Sequence, residues 1–256
     1  MNTLELFNLK GKTALITGSG SGIGFSLAEG LGGAGATTIL NGRNELKLKE
    51  AKQKLTDKGF KVNYLVFDVT KAEQVKKAIQ NYQEEHGQID ILINNAGINL
   101  RGPFEEFDEA EWKKVLDINI NGAMLVSQAI APQFIKQKSG KIINICSMQS
   151  ELGRPTIVPY AVSKGGIKML TRALCVEWAK YNIQVNGIGP GYFETELTKP
   201  LKNNPEFDQW LCNRTPANRW GDTKELVGAA VFLASEASNY VNGHILYVDG
   251  GLLASV

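Results

Sequence analysis

Only two histidines and three cysteines occur among the 256 residues. His86 and His244 stand far apart, and Cys146, Cys175 and Cys212 include no Cys-x-x-Cys pair. No group with zinc-ligand spacing can be assembled from them, so metal-dependent chemistry is not expected. A disulfide framework is not expected either; three scattered thiols fit reduced, packed side chains. Long apolar runs are missing too. Residues 1–12 carry no apolar signal segment, and no stretch approaches the length that crosses a bilayer, so the reading is cytoplasmic with no membrane partner. Charge of one sign is not in excess, since 28 Lys and Arg face 26 Asp and Glu. The basic residues are dispersed, which argues against a nucleic-acid partner. Repeats and biased segments are absent, and solenoid or disordered readings go with them.

What is present is alternation. Short β-rich runs at 13–17, 37–41, 62–67, 89–93, 141–145, 184–188 and 245–248 are separated by stretches of helical length at 23–33, 45–58, 72–86, 110–136, 158–181 and 223–236. Runs apolar on both faces and divided by helices predict an α/β fold, a doubly wound parallel sheet of Rossmann type. No Pro-, Gly- or Ser-rich linker divides the chain, so one domain is expected over 1–256. Segment 194–221 breaks the pattern: it has no strand, holds Pro200, Pro205 and Pro216, and carries two of the four Trp. It reads as a lid insertion covering the substrate.

The first strand runs into Thr17-Gly18-Ser19-Gly20-Ser21-Gly22-Ile23-Gly24 and then a helix. Glycines there let the backbone turn sharply and approach a pyrophosphate, which the helix N–H groups then face. In this strand–turn–helix setting the motif predicts a bound dinucleotide. The end of the second strand selects which one. An NAD site keeps a carboxylate at this place for the ribose hydroxyls; this chain reads Asn41-Gly42-Arg43-Asn44. Arg43 offers a fork of donors that suits a 2′-phosphate, so NADP(H) is the expected cofactor. Ser21 stands where a second basic residue would strengthen that choice.

Tyr160-Ala161-Val162-Ser163-Lys164 opens a helix, with the phenol and the ammonium one turn apart on one face. A phenol is a poor acid–base group at neutral pH, and a neighbouring ammonium, together with the positive nicotinamide of an oxidised cofactor, is expected to lower its pKa. Ser147 follows the fifth strand, where its hydroxyl could hold a substrate oxygen. Cys146 beside it reads as a packing residue, because no basic partner is evident. Trp210 and Trp220 suit a lid core as well as sugar stacking, and Glu151 reads as a solvated loop carboxylate.

Taken together, Thr17-Gly18-x-x-x-Gly22-Ile23-Gly24, Asn94-Asn95-Ala96-Gly97, Asn119, Ser147, Tyr160-x-x-x-Lys164 and Pro190-Gly191-x-x-x-Thr195 resemble the short-chain dehydrogenase/reductase family over nearly the full chain. The resemblance implies Tyr160 as the acid–base, Ser147 as the donor that orients a carbonyl, and Lys164 as ribose binder and pKa modulator. Asn119 would hold a water that relays protons to Lys164. It also implies a cofactor site of Gly18, Ser19, Ser21, Gly22, Ile23, Gly24 and Arg43, with Asp68 and Val69 at the adenine. Asn95, Ala96 and Gly97 would flank the nicotinamide ribose, joined by Tyr160, Lys164, Pro190, Gly191 and Thr195. A homotetramer is implied, with helices 158–181 and 110–136 at one interface and the C-terminal strand at another.

Segments 143–154, 214–221 and 241–244 are similar to those of the gluconate 5-dehydrogenase group, which implies reduction of a small-molecule keto sugar acid, 5-ketogluconate. An acid needs a cation, and Arg101 in the loop after strand four is the first candidate, Arg154 the second. With Ser147, Gln149 and Tyr160 they make up the expected substrate-binding set. The same chemistry on another keto sugar acid, a polyol or a ketoacyl substrate is the nearer alternative. A regulator that senses NADP without turning it over is the distant one.

Overall fold

The computed structural model describes residues 2–255. Its strands are β1 (Thr13–Ile16), β2 (Thr37–Gly42), β3 (Val62–Val66), β4 (Ile91–Asn94), β5 (Gly140–Ile145), β6 (Ile183–Pro190) and β7 (Ile245–Val248). In β1, Ala14 and Ile16 enter one apolar layer and Leu15 the other; β4 divides Ile91 and Ile93 from Leu92, and β5 divides Ile143 and Ile145 from Ile142. Strands apolar on both faces need cover on both, and helical crossovers between parallel strands supply it. All seven pair in parallel, in the order β3-β2-β1-β4-β5-β6-β7.

Three helices, α1 (Gly22–Gly33), α2 (Glu45–Thr56) and α9 (Val227–Ala234), pack on one face through residues such as Leu27, Leu48 and Leu233. On the other lie α3 (Ala72–His86), α5 (Gly122–Gln137) and α6 (Val158–Trp178), through Ile79, Ile130 and Trp178. Among the described residues no helix is long and apolar enough to cross a membrane.

The strand order reverses between β1 and β4, where the connections leave in opposite directions and open a crevice at the carboxyl ends. Register brings those ends level: Ile16 pairs with Ile93, and Ile93 with Ile143. Thr17, Asn95 and Ser147 therefore leave the sheet along one edge.

Two expectations are modified. Segment 110–136 is not one α-helix but α4 (Glu109–Leu116) and α5, joined by a π-helical turn at Asp117–Asn121. Asn119 lies in that turn, and a wide turn of this kind changes the phase of every later side chain, which apolar spacing alone does not reveal. Segment 194–221 has no strand, but Phe193 and Gly221 form a single parallel bridge that pinches its base. Between them run two short helices, α7 (Lys199–Lys202) and α8 (Pro205–Arg214). They close over a small apolar cluster of Met148, Leu211, Trp220 and Leu252.

Candidate active site

The turn after β1 is fixed by one hydroxyl. Thr17 Oγ1 accepts hydrogen bonds from the N–H groups of Asn95 and Ala96, both at 3.0 Å, locking the β1 and β4 loops together. The Asn95 carboxamide donates back to the carbonyls of Thr17 (2.9 Å) and Gly18 (3.0 Å). Gly18 and Gly22 hold φ of 63° and 59°, which favours glycine. Gly24 has no room for a side chain: a Cβ there would lie 2.5 Å from Asn95 Nδ2 and 2.7 Å from the Gly18 carbonyl oxygen. Helix α1 thus begins against the sheet, with its first N–H groups unused by the helix and no acidic residue in its first turn. Ser21, at the N-cap, makes no side-chain cap. These features fit an anion such as a pyrophosphate.

Ser21, Gly22, Ile23 and Gly24 line a groove of about 260 Å³ that continues past Asn95 and Gly97 to Ser147, Tyr160, Lys164, Pro190, Gly191 and Thr195. A second part, about 190 Å³, shares Asn95 and Gly97 and is lined by Gly18, Arg43, Asp68, Val69 and Ala96. Arg43 is exposed at this end, 3.9 Å from Asp68. Burial alone would raise the Asp68 pKa, but hydrogen bonds from Thr70 and the charges of Arg43 and Lys71 hold it below the usual carboxylate value.

Ser19 stands behind this wall. Its buried hydroxyl donates to the Ile16 carbonyl (2.7 Å) and accepts from the Asn41 N–H (3.0 Å). Asn119 is also a brace: Oδ1 accepts from the Ile98 N–H (2.8 Å), and Nδ2 donates to the Ile98 carbonyl and to Ser163 Oγ, both at 2.9 Å. It ties the loop after β4 to α6 one residue from Lys164.

Ser147 caps a short 3₁₀ turn, Met148–Ser150, and its Oγ accepts from the Gln149 N–H (3.1 Å). Its own proton remains available for a ligand oxygen. Ser150 Oγ donates to the Lys164 carbonyl (2.8 Å) and accepts from the Ser147 N–H (3.3 Å), so one hydroxyl fixes Ser147 against α6. Lys164 Nζ donates to the Ile145 carbonyl (2.6 Å) and lies 5.6 Å from the Tyr160 ring centre. Burial lowers the Lys164 pKa to about 8. It raises that of Tyr160, against the opposing effects of the Ser147 hydroxyl and the Arg101 charge. The sequence led us to expect a lowered phenol pKa; in the protein alone, loss of solvent outweighs the neighbouring charges. Cys146 is buried, and its thiol is pushed up to about 11, which suits packing rather than attack.

Beyond Tyr160 the groove opens into a pocket lined by Ser147, Gln149, Tyr160, Asn99, Arg101 and Arg154. Arg101 is exposed, whereas Arg154 donates to Tyr192 Oη (2.9 Å) and stacks 4.6 Å over the Phe207 ring of α8. Glu151 faces elsewhere, held by Lys168 and by the Tyr247 hydroxyl (2.6 Å). Trp220 is buried edge-on to Tyr192 and donates to Asp208, and Trp210 packs on Phe207. Neither Trp lines this pocket.

Ser150 and Asn99 carry parts of this geometry that the sequence did not single out, and Thr17, the first residue of the glycine motif, has a clamp role that the motif does not show. Ser150 left a trace, the Ser-x-x-Ser spacing of a reciprocal cap.

Residues 12–206 match the model of the short chain dehydrogenase family. The chain is 54% identical to the 5-keto-D-gluconate 5-reductase of Escherichia coli over 98% of its length and 99% of that protein's. It is 49% identical to the 2-dehydro-3-deoxy-D-gluconate 5-dehydrogenase of Formosa agariphila, over 99% and 97%. The crystal structure of a gluconate 5-dehydrogenase from Burkholderia cenocepacia, in complex with NADP and tartrate, superimposes with a TM-score of 0.98 at 51% identity, covering all of both chains. The glycine cradle at the strand-order reversal, and Tyr160 and Lys164 on the helix across from it, therefore have a family context: this chain belongs to the short chain dehydrogenases.

Proposed function

We propose that this protein is an NADP(H)-dependent oxidoreductase that reduces 5-ketogluconate to gluconate. The observation that carries the reading is a single pocket lined by two kinds of group: Ser147 and Tyr160, suited to a carbonyl oxygen, and Arg101 and Arg154, suited to a carboxylate. The Escherichia coli relative is named for this reaction, and the Burkholderia cenocepacia structure holds NADP with tartrate, itself a hydroxy acid.

The turn at 17–24 and Arg43 would hold the dinucleotide, with Asp68 and Val69 beside the adenine and Asn95, Ala96, Gly97, Pro190, Gly191 and Thr195 beside the nicotinamide ribose. Bound there, the cofactor supplies a hydride to the carbonyl carbon. Ser147 and Tyr160 donate to the carbonyl oxygen, where negative charge grows. Tyr160 then gives that oxygen its proton, and its raised pKa keeps the phenol protonated for reduction at neutral pH. Lys164, still cationic below about pH 8, stabilises the phenolate left behind. Asn119 supports the set by holding Ile98 and Ser163 in place. Segment 194–221 acts as the lid: Phe207 of α8 touches Arg154, so its closure and the acid-binding end are linked.

The working form is a cytoplasmic homotetramer. Val162, Met169 and Val176 recur every seven residues along α6 and are exposed, by 82% at Val176, an apolar stripe suited to a second copy.

Steady-state reduction of 5-ketogluconate with NADPH and with NADH tests the assignment. Turnover with a clear preference for NADPH is expected; no turnover with either would overturn it. The Formosa agariphila relative favours a second reading, the same chemistry on 2-dehydro-3-deoxy-D-gluconate. A higher kcat/KM on that substrate would establish it.

A further inference from the structure

Four buried side-chain oxygens find no hydrogen-bond partner among the described residues: those of Thr38, Asn94, Asn99 and Gln149. The first two belong to the sheet, on β2 and β4. The other two belong to residues lining one pocket, the one that also holds Ser147, Tyr160 and the two arginines. Gln149 is only 7% exposed, and its backbone N–H is bonded to Ser147 Oγ (3.1 Å). Gln149 stands two residues after Ser147 and lines the same pocket as Ser147 and Tyr160, the groups that take the reacting carbonyl. Asn99 enters from the opposite loop, two residues before Arg101.

A buried carboxamide oxygen without a donor is costly, and such a cost is tolerated where a ligand supplies the missing group. What that group must be follows from donor chemistry. A carboxylate only accepts, so it cannot satisfy these oxygens and belongs to the arginines. An aliphatic carbon offers nothing. A hydroxyl both donates and accepts and matches a carboxamide in either orientation. We propose that Asn99 and Gln149 form a hydroxyl-reading pair, separate from the arginine end, that selects a polyhydroxy keto acid over its deoxy counterpart. The inference deepens the proposed function and rests on its assignment of this pocket to the substrate. A site built to bond a hydroxyl rejects the analogue lacking it far more strongly than an apolar pocket rejects a missing methylene.

The test compares 5-ketogluconate with its monodeoxy analogues on the wild-type enzyme and on Gln149→Met and Asn99→Leu. The wild type should lose about tenfold or more in kcat/KM on at least one analogue lacking a hydroxyl near the ketone. Gln149→Met or Asn99→Leu should lose a similar factor on 5-ketogluconate and little on that analogue, so that the discrimination disappears. NADPH binding, followed by its fluorescence, should be unchanged in both variants, which shows that they are folded. Equal losses on the two substrates, no loss, or a wild type indifferent to the hydroxyls would each overturn the pair. A wild type that does not reduce 5-ketogluconate refutes the functional assignment instead. The contrast is then run on the keto acid it does reduce and its deoxy analogue, with the same outcomes deciding; an enzyme reducing none overturns both.

Discussion

Lys164 Nζ is hydrogen-bonded to the Ile145 carbonyl at 2.6 Å, joining α6 to the carboxyl end of β5 beneath the candidate active site. The bond fixes an ammonium in a place where it is 5% exposed, and burial brings its pKa from 10.5 to about 8. That position holds the charge 5.6 Å from the centre of the Tyr160 ring.

Because the folded-state pKa lies below the unfolded one, the charged lysine destabilises the fold, fully so below about pH 8. The penalty disappears as the pH rises toward 10.5. Lys164→Met removes this dependence while leaving the Ile145 carbonyl equally unpaired at every pH. Wild-type stability should therefore rise relative to the variant by about 3 kcal/mol between neutral pH and roughly pH 10.5. Urea denaturation of both proteins across that range checks it, and a pH-independent difference would refute the lowered pKa.

Tyr160→Phe keeps the ring and removes the proton. A loss of roughly 10²–10⁴ in kcat is expected, with NADPH affinity little changed. Near-normal turnover would mean that the proton comes from elsewhere.

These two residues were legible because their relation is local: four positions apart at the start of a helix, they must share a face. The sheet was legible for a similar reason, since the two-faced apolar pattern of β1, β4 and β5 permits little else. The glycine turn announced itself by composition. What could not be read depends on contacts between distant segments. Thr17 clamps Asn95 across 78 positions, and nothing near Thr17 signals it. The π turn at Asn119 adds no unusual residue type, and the hold of its carboxamide on Ile98 and Ser163 could not be read from it. Ser19 has the composition of a phosphate loop, yet its hydroxyl is consumed by Ile16 and Asn41. The direction of the Tyr160 pKa depends on burial, which spacing does not report.

Gly24→Ala tests the cradle. The new methyl would press on Asn95 Nδ2, the Gly18 carbonyl oxygen and, at 2.8 Å, Ser19 Cα, two of which are backbone atoms that cannot swing aside. The start of α1 must shift, which should weaken both NADPH and NADH by tenfold or more, since the turn faces the part they share. Calorimetric titration with each nucleotide measures it. Unaltered affinity for both would place the pyrophosphate elsewhere.

Arg43→Ala separates the two nucleotides. Its contact with Asp68 is long and exposed, so the melting temperature should scarcely move. NADPH binding should weaken by about 1.5–3 kcal/mol, the scale of a hydrogen bond to a charged group, with NADH almost unaffected. An unmodified enzyme that already prefers NADH would contradict the cofactor assignment from the start.

Arg101 and Arg154 line the same pocket but are held differently, and that difference makes their roles separable. Arg154 is committed to the Tyr192 hydroxyl and the Phe207 ring, whereas Arg101 keeps an exposed side chain whose pKa is lowered by its partial loss of solvent and by the charge of Arg154. A guanidinium so placed gains most from an incoming carboxylate. Arg101→Ala should raise KM for 5-ketogluconate by about tenfold or more and leave the rate on a neutral ketone of similar size nearly unchanged, because Ser147 and Tyr160 are untouched. Arg154→Ala should impair both substrates, since it also removes the contact that seats Phe207 of α8. Equal losses on both substrates in Arg101→Ala would point to folding or cofactor binding. An unchanged KM in that variant would leave Arg154 as the residue that receives the acid.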